Sequence, residues 1–388
     1  MIKKIICLIM ASVFIMTGAL NCDAREQEDY KSISELLKSI DCEHIAVFEV
    51  NTGEVLGSRK GGKKVYISHL TKLMTALIVY DMINESRILE DTVLTTSEYA
   101  NSQQGVQIWL DVGEEISVKE LLYAITVSNA NDAAVVLAEG CCGNEKKFVS
   151  LMNKRAKALG MKDTTFADCT GIDEKNISTA KDMCILIGEL AKNNVFADYY
   201  KTRITEVGRK ASQLVTQNRL IDNYKGICGY KAFYSEKCSD VVCCASKQRD
   251  MTVCLVMIGC KDEDIKFSDA KSIMNYAFNH FEIYYPEIPE DVYTDIPVLH
   301  GQKAVCPTDI GGSRDIIIER GSYRQIYTDF SYAEELTAPV RKGDKTGTLV
   351  FYDAKGEILK CDIVAAQDIE EMDFLFALKS LLYNLFNI

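Results

Sequence analysis

From Ser68 to Ile83, sixteen consecutive positions are apolar nearly all the way round a helical projection. This stretch constrains the chain more than any other, because a helix without a polar face must be enclosed by the rest of a core. It is also too short to cross a bilayer comfortably. Its head reads Ser68-His69-Leu70-Thr71-Lys72-Leu73-Met74-Thr75.

Around this helix the pattern alternates between strand and helix. Ile45 to Val50 lead into a turn at Asn51-Thr52-Gly53 and on to Glu54-Val55-Leu56, which reads as a hairpin. Helices are expected over 118–127, 131–139, 145–159 and 179–192, the third closing on Leu159-Gly160 with glycine as its C-terminal cap. Strands follow at 239–246 and 251–259, then a helix near 267–281. Strands at both ends of a helical middle imply an α/β domain over residues 25–283 whose terminal strands share one sheet.

Pro286, Pro289 and Pro297 mark a boundary, and residues 284–366 read as a small all-β domain. Its strands are expected at 316–318, 325–327, 348–352 and 362–365, with turns at Lys342-Gly343-Asp344 and Ala354-Lys355-Gly356. Residues 367–388 form a C-terminal amphipathic segment. Twelve of the seventeen residues from Met372 to Ile388 are apolar, while Asp373, Ser380, Asn384 and Asn387 share one stripe, with only Lys379 off it. A helix of this kind is expected to lie in a membrane interface.

The chain carries a formal charge of −12, which excludes nucleic acid as a partner for want of clustered Lys and Arg. Lys3 and Lys4 precede an apolar run from Ile5 to Leu20, and Cys22-Asp23-Ala24 ends at a small residue before a charged stretch. Residues 1–24 therefore read as an export signal, placing the mature chain outside the cytoplasm. Of fifteen cysteines, Cys7 and Cys22 fall in that signal, which leaves an odd number, so at least one thiol is unpaired or intermolecular. No paired Cys-x-x-Cys units provide metal-ligand spacing, and the vicinal pairs Cys141-Cys142 and Cys243-Cys244 read as small buried residues.

Seven stretches stand out together: Asn51 to Leu56, Leu70 to Ala76, Asn131-Asp132-Ala133 with Leu137-Ala138-Glu139, Leu159-Gly160-Met161, Thr170-Gly171-Ile172, Ser178-Thr179-Ala180, and Ala338-Pro339-Val340 through Leu349. In these stretches the chain resembles the low-molecular-mass D-alanyl-D-alanine carboxypeptidases, the penicillin-binding serine peptidases. The resemblance implies a β-lactamase/transpeptidase-like domain, a sheet with a helical insert, followed by a small β-sandwich and a C-terminal membrane anchor. It implies peptidoglycan stem peptides or β-lactam-like ligands as partners, and no cofactor or metal.

Chemistry in that family needs a serine nucleophile three residues before a lysine, a second serine beside an asparagine, and a Lys-Thr-Gly strand edge. This chain keeps the lysines and the asparagine and lacks the hydroxyls. Lys72 matches the first lysine, but His69 stands at the nucleophile position. Asn131 matches the asparagine, and Asn129 stands at the second-serine position. Lys231-Ala232-Phe233 aligns with Lys-Thr-Gly, so a methyl replaces the hydroxyl and a ring stands where glycine would. Ser68, one residue before His69, is a possible displaced nucleophile, since residues four apart on a helix are neighbours. A shift of one residue, however, turns a side chain by about 100°. Ser128 is displaced in the same direction.

The expected function is that of an exported, catalytically impaired relative of the carboxypeptidases that binds wall peptides or wall enzymes. The alternative is an active carboxypeptidase using Ser68 and Lys72. A third reading makes Lys72, Asn131 and Lys231 structural remnants with no ligand at all, and it gains if the three side chains do not converge on one cleft. The literal Lys345-Thr346-Gly347, Ser178-Thr179-Ala180-Lys181 and Ser268-Asp269-Ala270-Lys271 are chance matches outside the head of a buried apolar helix.

Overall fold

The computed structural model describes residues 30–386 except 193–196, 313, 323–325 and 355, so the export segment 1–24 lies outside the described residues. The chain divides into two compact units between Phe278 and Asn279.

In the first unit, helix α1 (Ile33–Ser39) precedes strands β1 (Cys42–Glu49) and β2 (Val55–Arg59). The hairpin between them turns at Gly53, whose φ of 72° suits glycine. The fully buried Glu49 accepts hydrogen bonds from Thr52 N at 2.7 Å and from Thr252 N at 3.0 Å, so its carboxylate joins the hairpin to the neighbouring strand. The chain then leaves the sheet for the helical middle: α2 (Thr71–Asn84), α3 (Val118–Tyr123), α4 (Asn131–Cys142), α5 (Glu145–Ala158) and α6 (Ala180–Lys192). It returns through β3 (Ile227–Gly229), β4 (Ala232–Ser235), β5 (Ser239–Gln248) and β6 (Met251–Cys260), and α7 (Ile265–His280) follows.

The sheet order is β4-β5-β6-β1-β2, with β3 pairing β5 on the same side as β4. All pairs are antiparallel, and β1 lies between β6 and β2. The terminal strands of the unit therefore share one sheet, as their placement around the helices implies. β6 reads as a nearly continuous apolar run because it is central in the sheet and α6 packs against it.

The apolar helix expected from Ser68 to Ile83 is present as one 3-10 turn, Ser68–Leu70, continued by α2. Every residue from Thr71 to Tyr80 is buried, as is Met82, so protein surrounds the helix on all sides. The expected helix at 118–127 is interrupted. After α3, residues 124–128 form one wide π turn that ends at Asn129 in the left-handed region, φ 66°. The wide turn leaves the Ile125 and Thr126 carbonyls facing a buried lysine, described below.

In the second unit, β7 (Phe281–Tyr284) pairs with β10 (Ile316–Glu319). A six-stranded sheet comprises β8 (Asp295–Leu299), β9 (Val305–Gly311), β11 (Tyr327–Tyr332), β12 (Leu336–Thr337), β13 (Lys345–Asp353) and β14 (Gly356–Ala365), in the order β11-β13-β14-β9-β8-β12. Its core comprises Val292, Ile316, Ile318, Leu349, Phe351, Cys361 and Ile363. Helix α8 (Phe374–Phe386) ends the described chain.

Candidate active site

The buried α2 helix brings Lys72 into the interior of the first unit, where its side chain is fully enclosed. An ammonium there must have its protons accepted. Lys72 Nζ donates to Asn131 Oδ1 at 2.6 Å and to the Thr170 carbonyl at 2.5 Å, and lies 3.4 Å from His69 Nδ1. Asn131 is itself held in place, its Nδ2 donating to Gln104 O at 2.6 Å and its backbone N to Val106 O at 2.7 Å. The adjoining Asp132 carboxylate accepts from Ile108 N and Leu110 N, which fastens the 104–110 segment beside Asn131.

A second buried lysine lies beside the first. Lys231, only 2% exposed, donates through Nζ to Ile125 O at 2.5 Å and to Asn129 Oδ1 at 2.6 Å, with Thr126 O at 3.3 Å. The π turn supplies the two carbonyls and the left-handed residue Asn129 supplies the amide oxygen. Phe233, two residues along on β4, is 2% exposed, and its ring meets His69 edge to face at 5.1 Å and 71°. Ala232 is buried, whereas Tyr234 is 62% exposed. The Phe233 and His69 rings therefore occupy the space between the strand edge and Lys72.

The offset serines are held elsewhere. Ser68 is buried with φ 46°, in the segment that follows Tyr66, whose phenol donates to Gly171 O at 2.5 Å. Ser128 Oγ turns back onto the Ala124 carbonyl at 2.8 Å. Lys72, Asn131 and His69 are thus joined directly, and Phe233 links them to β4. Lys231 and Asn129 form the adjoining pair. Among the chance matches, Lys345 is ion-paired with Asp362 and Thr346 Oγ1 donates to Ile363 O, both within the second unit.

Sequence reasoning missed the groups that act through main-chain atoms. Asp168 accepts from Thr170 N at 2.8 Å, Gly171 N at 2.5 Å and Asp173 N at 2.6 Å, and so holds the loop that presents Thr170 O to Lys72. An aspartate two residues before Thr-Gly is a local turn signal that would have located this loop. Nothing in the sequence marks the carbonyls of Ile125 and Thr126.

Burial, then the nearby Lys72 and Lys231, pushes the His69 pKa down to about 2. Burial pushes Lys72 down to about 7, and burial followed by repulsion from Lys72 does the same to Lys231. These groups bind protons less readily in the folded chain than in the unfolded one, so stability rises with pH across each window. For His69 that window lies below its ordinary value of 6.5, and its contribution is lost as the solution is acidified. For the lysines the window runs from about 7 to the ordinary value of 10.5. Urea midpoints are therefore expected to climb from pH 5 to pH 9, each titrating group adding up to about 1.4 kcal/mol per pH unit within its window. His69→Phe should flatten the acidic limb and Lys72→Met the alkaline limb. A wild-type midpoint unchanged over that range would contradict the assignment.

Residues 29–262 match the profile of the D-alanyl-D-alanine carboxypeptidase family, and residues 289–371 match the penicillin-binding protein 5 C-terminal domain. The chain belongs to the D-alanyl-D-alanine carboxypeptidase family. Among relatives of this family, D-alanyl-D-alanine carboxypeptidase DacF of Bacillus subtilis is 29% identical over 97% of each chain. DacC of Escherichia coli is 26% identical over 87% of this chain and 86% of its own. Penicillin-binding protein 5 of Haemophilus influenzae superposes with a TM-score of 0.74 at 23% identity, covering 86% of this chain and 98% of its own. Penicillin-binding protein D2 of Listeria monocytogenes, in its ampicillin-bound form, superposes with a TM-score of 0.53 at 25% identity, over 62% of this chain and 98% of its own. The fold is that of penicillin-binding protein 5: a peptidase domain of sheet and helices, then an all-β domain.

Proposed function

We propose that this member of the carboxypeptidase family acts in cell-wall metabolism by binding wall peptides or wall enzymes without cleaving the D-alanyl-D-alanine bond. The observation that carries this reading is the imidazole of His69, where a hydroxyl would have to stand, 3.4 Å from Lys72 Nζ and packed against Phe233. Burial and two neighbouring cations disfavour protonation of the ring. An acyl-imidazole would also be labile. The edge strand β4 retains the form of a peptide-docking edge, since it pairs with β5 on one side and carries the exposed Tyr234. Stem peptides and β-lactam-like molecules are the ligands proposed for it.

A second reading, acylation by Ser68 with Lys72 as base, draws on one observation: burial lowers the Lys72 pKa to about 7, which makes its neutral amine accessible. Long incubation with a fluorescent penicillin, followed by mass mapping, separates the two readings. The first predicts no covalent adduct. An adduct on the Ser68 peptide, with D-alanine release abolished by Lys72→Ala, would establish the second and refute the first.

We further propose that the chain is exported and held at the outer membrane face through α8. None of the helices among the described residues is long and apolar enough to cross a membrane. Along α8, Phe374, Leu375, Leu381, Tyr383 and Leu385 are all more than half exposed, which favours an interfacial position. Vesicles of phosphatidylglycerol and phosphatidylethanolamine are expected to pellet the full chain and to leave a chain lacking 372–388 in the supernatant. Equal pelleting of the two would refute the anchor.

A further inference from the structure

Cys42 opens β1 and Cys260 closes β6, and the two residues stand directly opposite each other in the antiparallel pair. We propose that Cys42 and Cys260 are a disulfide-forming pair that joins the first and last strands of this sheet in oxidising surroundings. Opposed residues in an antiparallel ladder have Cα atoms about 4.5–5.5 Å apart. That span lies within the roughly 4.4–6.8 Å that a disulfide bridges. The side chains already point at one another, with Cys42 Sγ and Cys260 Sγ 2.8 Å apart. Bond formation requires no shift of register.

The same sheet provides the contrast. Cys243 opposes Val256, Cys244 opposes Leu255, and Cys254 opposes Phe48 on one side and Ala245 on the other. All three are fully buried, and the Cys254 sulfur donates to the Cys184 carbonyl at 3.5 Å. The Cys42–Cys260 pair instead sits at the end of both strands, just inside the exposed ion pair of Asp41 with Lys261 at 3.1 Å. Both cysteines are at most 3% exposed, so a donor reaches them when the last rung frays, while the rest of the sheet stays intact.

The co-reactant is a disulfide, and the step is thiol–disulfide exchange. One cysteine loses its proton, and its thiolate attacks a donor sulfur, breaking the donor S–S bond and releasing one donor thiolate. The second cysteine loses its proton and displaces the remaining donor thiolate as the Cys42–Cys260 bond forms. The two protons end on the two donor thiolates. The cysteines are oxidised by two electrons and the donor is reduced by two. The resulting loop, 42 to 260, contains Lys72, Asn131 and Lys231, so the bond restricts in the unfolded state the whole segment from which the candidate site is assembled.

The test uses the full chain incubated with oxidised glutathione, alkylated in denaturant and digested without reduction. The expected product is a cross-linked peptide pair containing Cys42 and Cys260, two hydrogens lighter than the separate peptides. The urea midpoint should rise on the order of 1 M over the dithiothreitol-treated chain. Cys260→Ser should abolish both changes. If that variant does not fold, the wild-type peptide map decides alone. Alkylation of both thiols, a bond from either to another cysteine, or a persisting glutathione adduct would each overturn the proposal.

Discussion

A chain carrying His69→Ser, Asn129→Ser, Ala232→Thr and Phe233→Gly together is expected to be labelled covalently by a fluorescent penicillin that leaves the wild type unlabelled. The scaffold these changes would act on is already in place. Lys72 is enclosed, Asn131 is fixed by Gln104 O and Val106 O, and Lys231 is seated on the carbonyls of the π turn. On the reading proposed above, what the site lacks is an oxygen nucleophile and space. Loss of a catalytic serine elsewhere lowers turnover on the order of 10⁶-fold, so restoring one to a prepared site should raise the acylation rate by several orders of magnitude.

The partial variants order the causes. His69→Ser alone leaves the Phe233 ring over the strand edge, and Phe233→Gly alone opens space without a nucleophile. Neither is expected to label appreciably. Removing a buried phenylalanine costs about 3–5 kcal/mol, so the circular dichroism of each variant must be recorded with its labelling. A folded quadruple variant that still fails to label would refute the proposal that these four positions silence the site.

Gly171→Ala is expected to be the most damaging single substitution near the site. A Cβ at position 171 would lie 2.0 Å from the Ser68 carbonyl oxygen, a backbone atom that cannot swing away, and φ there is +85°. Both effects act on the segment that positions His69 and on the loop that offers Thr170 O to Lys72. The expected loss exceeds about 3 kcal/mol in urea unfolding, combining steric overlap with left-handed strain. Gly62→Ala is the control, because nothing lies within 4 Å of its added carbon. It should stay within about 0.5 kcal/mol of wild type. Equal midpoints for the two variants would mean that the 168–173 loop moves freely relative to Ser68.

Much of the fold was legible in advance. The nearly continuous apolar surface from Ser68 to Ile83 implies an enclosed helix, and the pattern around Asn51-Thr52-Gly53 implies a hairpin. The strands flanking the helical middle implied a shared sheet. These are local patterns of polarity and turn chemistry, which a sequence displays directly. The π turn at 124–128 falls largely within the helix that the pattern implies over 118–127, because no glycine or proline in Ala124-Ile125-Thr126-Val127-Ser128 interrupts it. The wide turn becomes intelligible only beside Lys231, more than a hundred residues later, whose ammonium takes two of its carbonyls.

The candidate site divides along the same line. Residue order alone led to the expectation that His69, Asn129, Ala232 and Phe233 stand where the family would place hydroxyls and a glycine, and that Lys72, Asn131 and Lys231 match its lysines and asparagine. Tertiary structure decided which of the two adjacent residues, Ser68 or His69, meets Lys72, and that the Phe233 ring closes over the imidazole. Side-chain identity is written in the chain. The direction a side chain takes depends on a backbone twist, here the left-handed φ of Ser68 and Asn129, and distant packing imposes that twist.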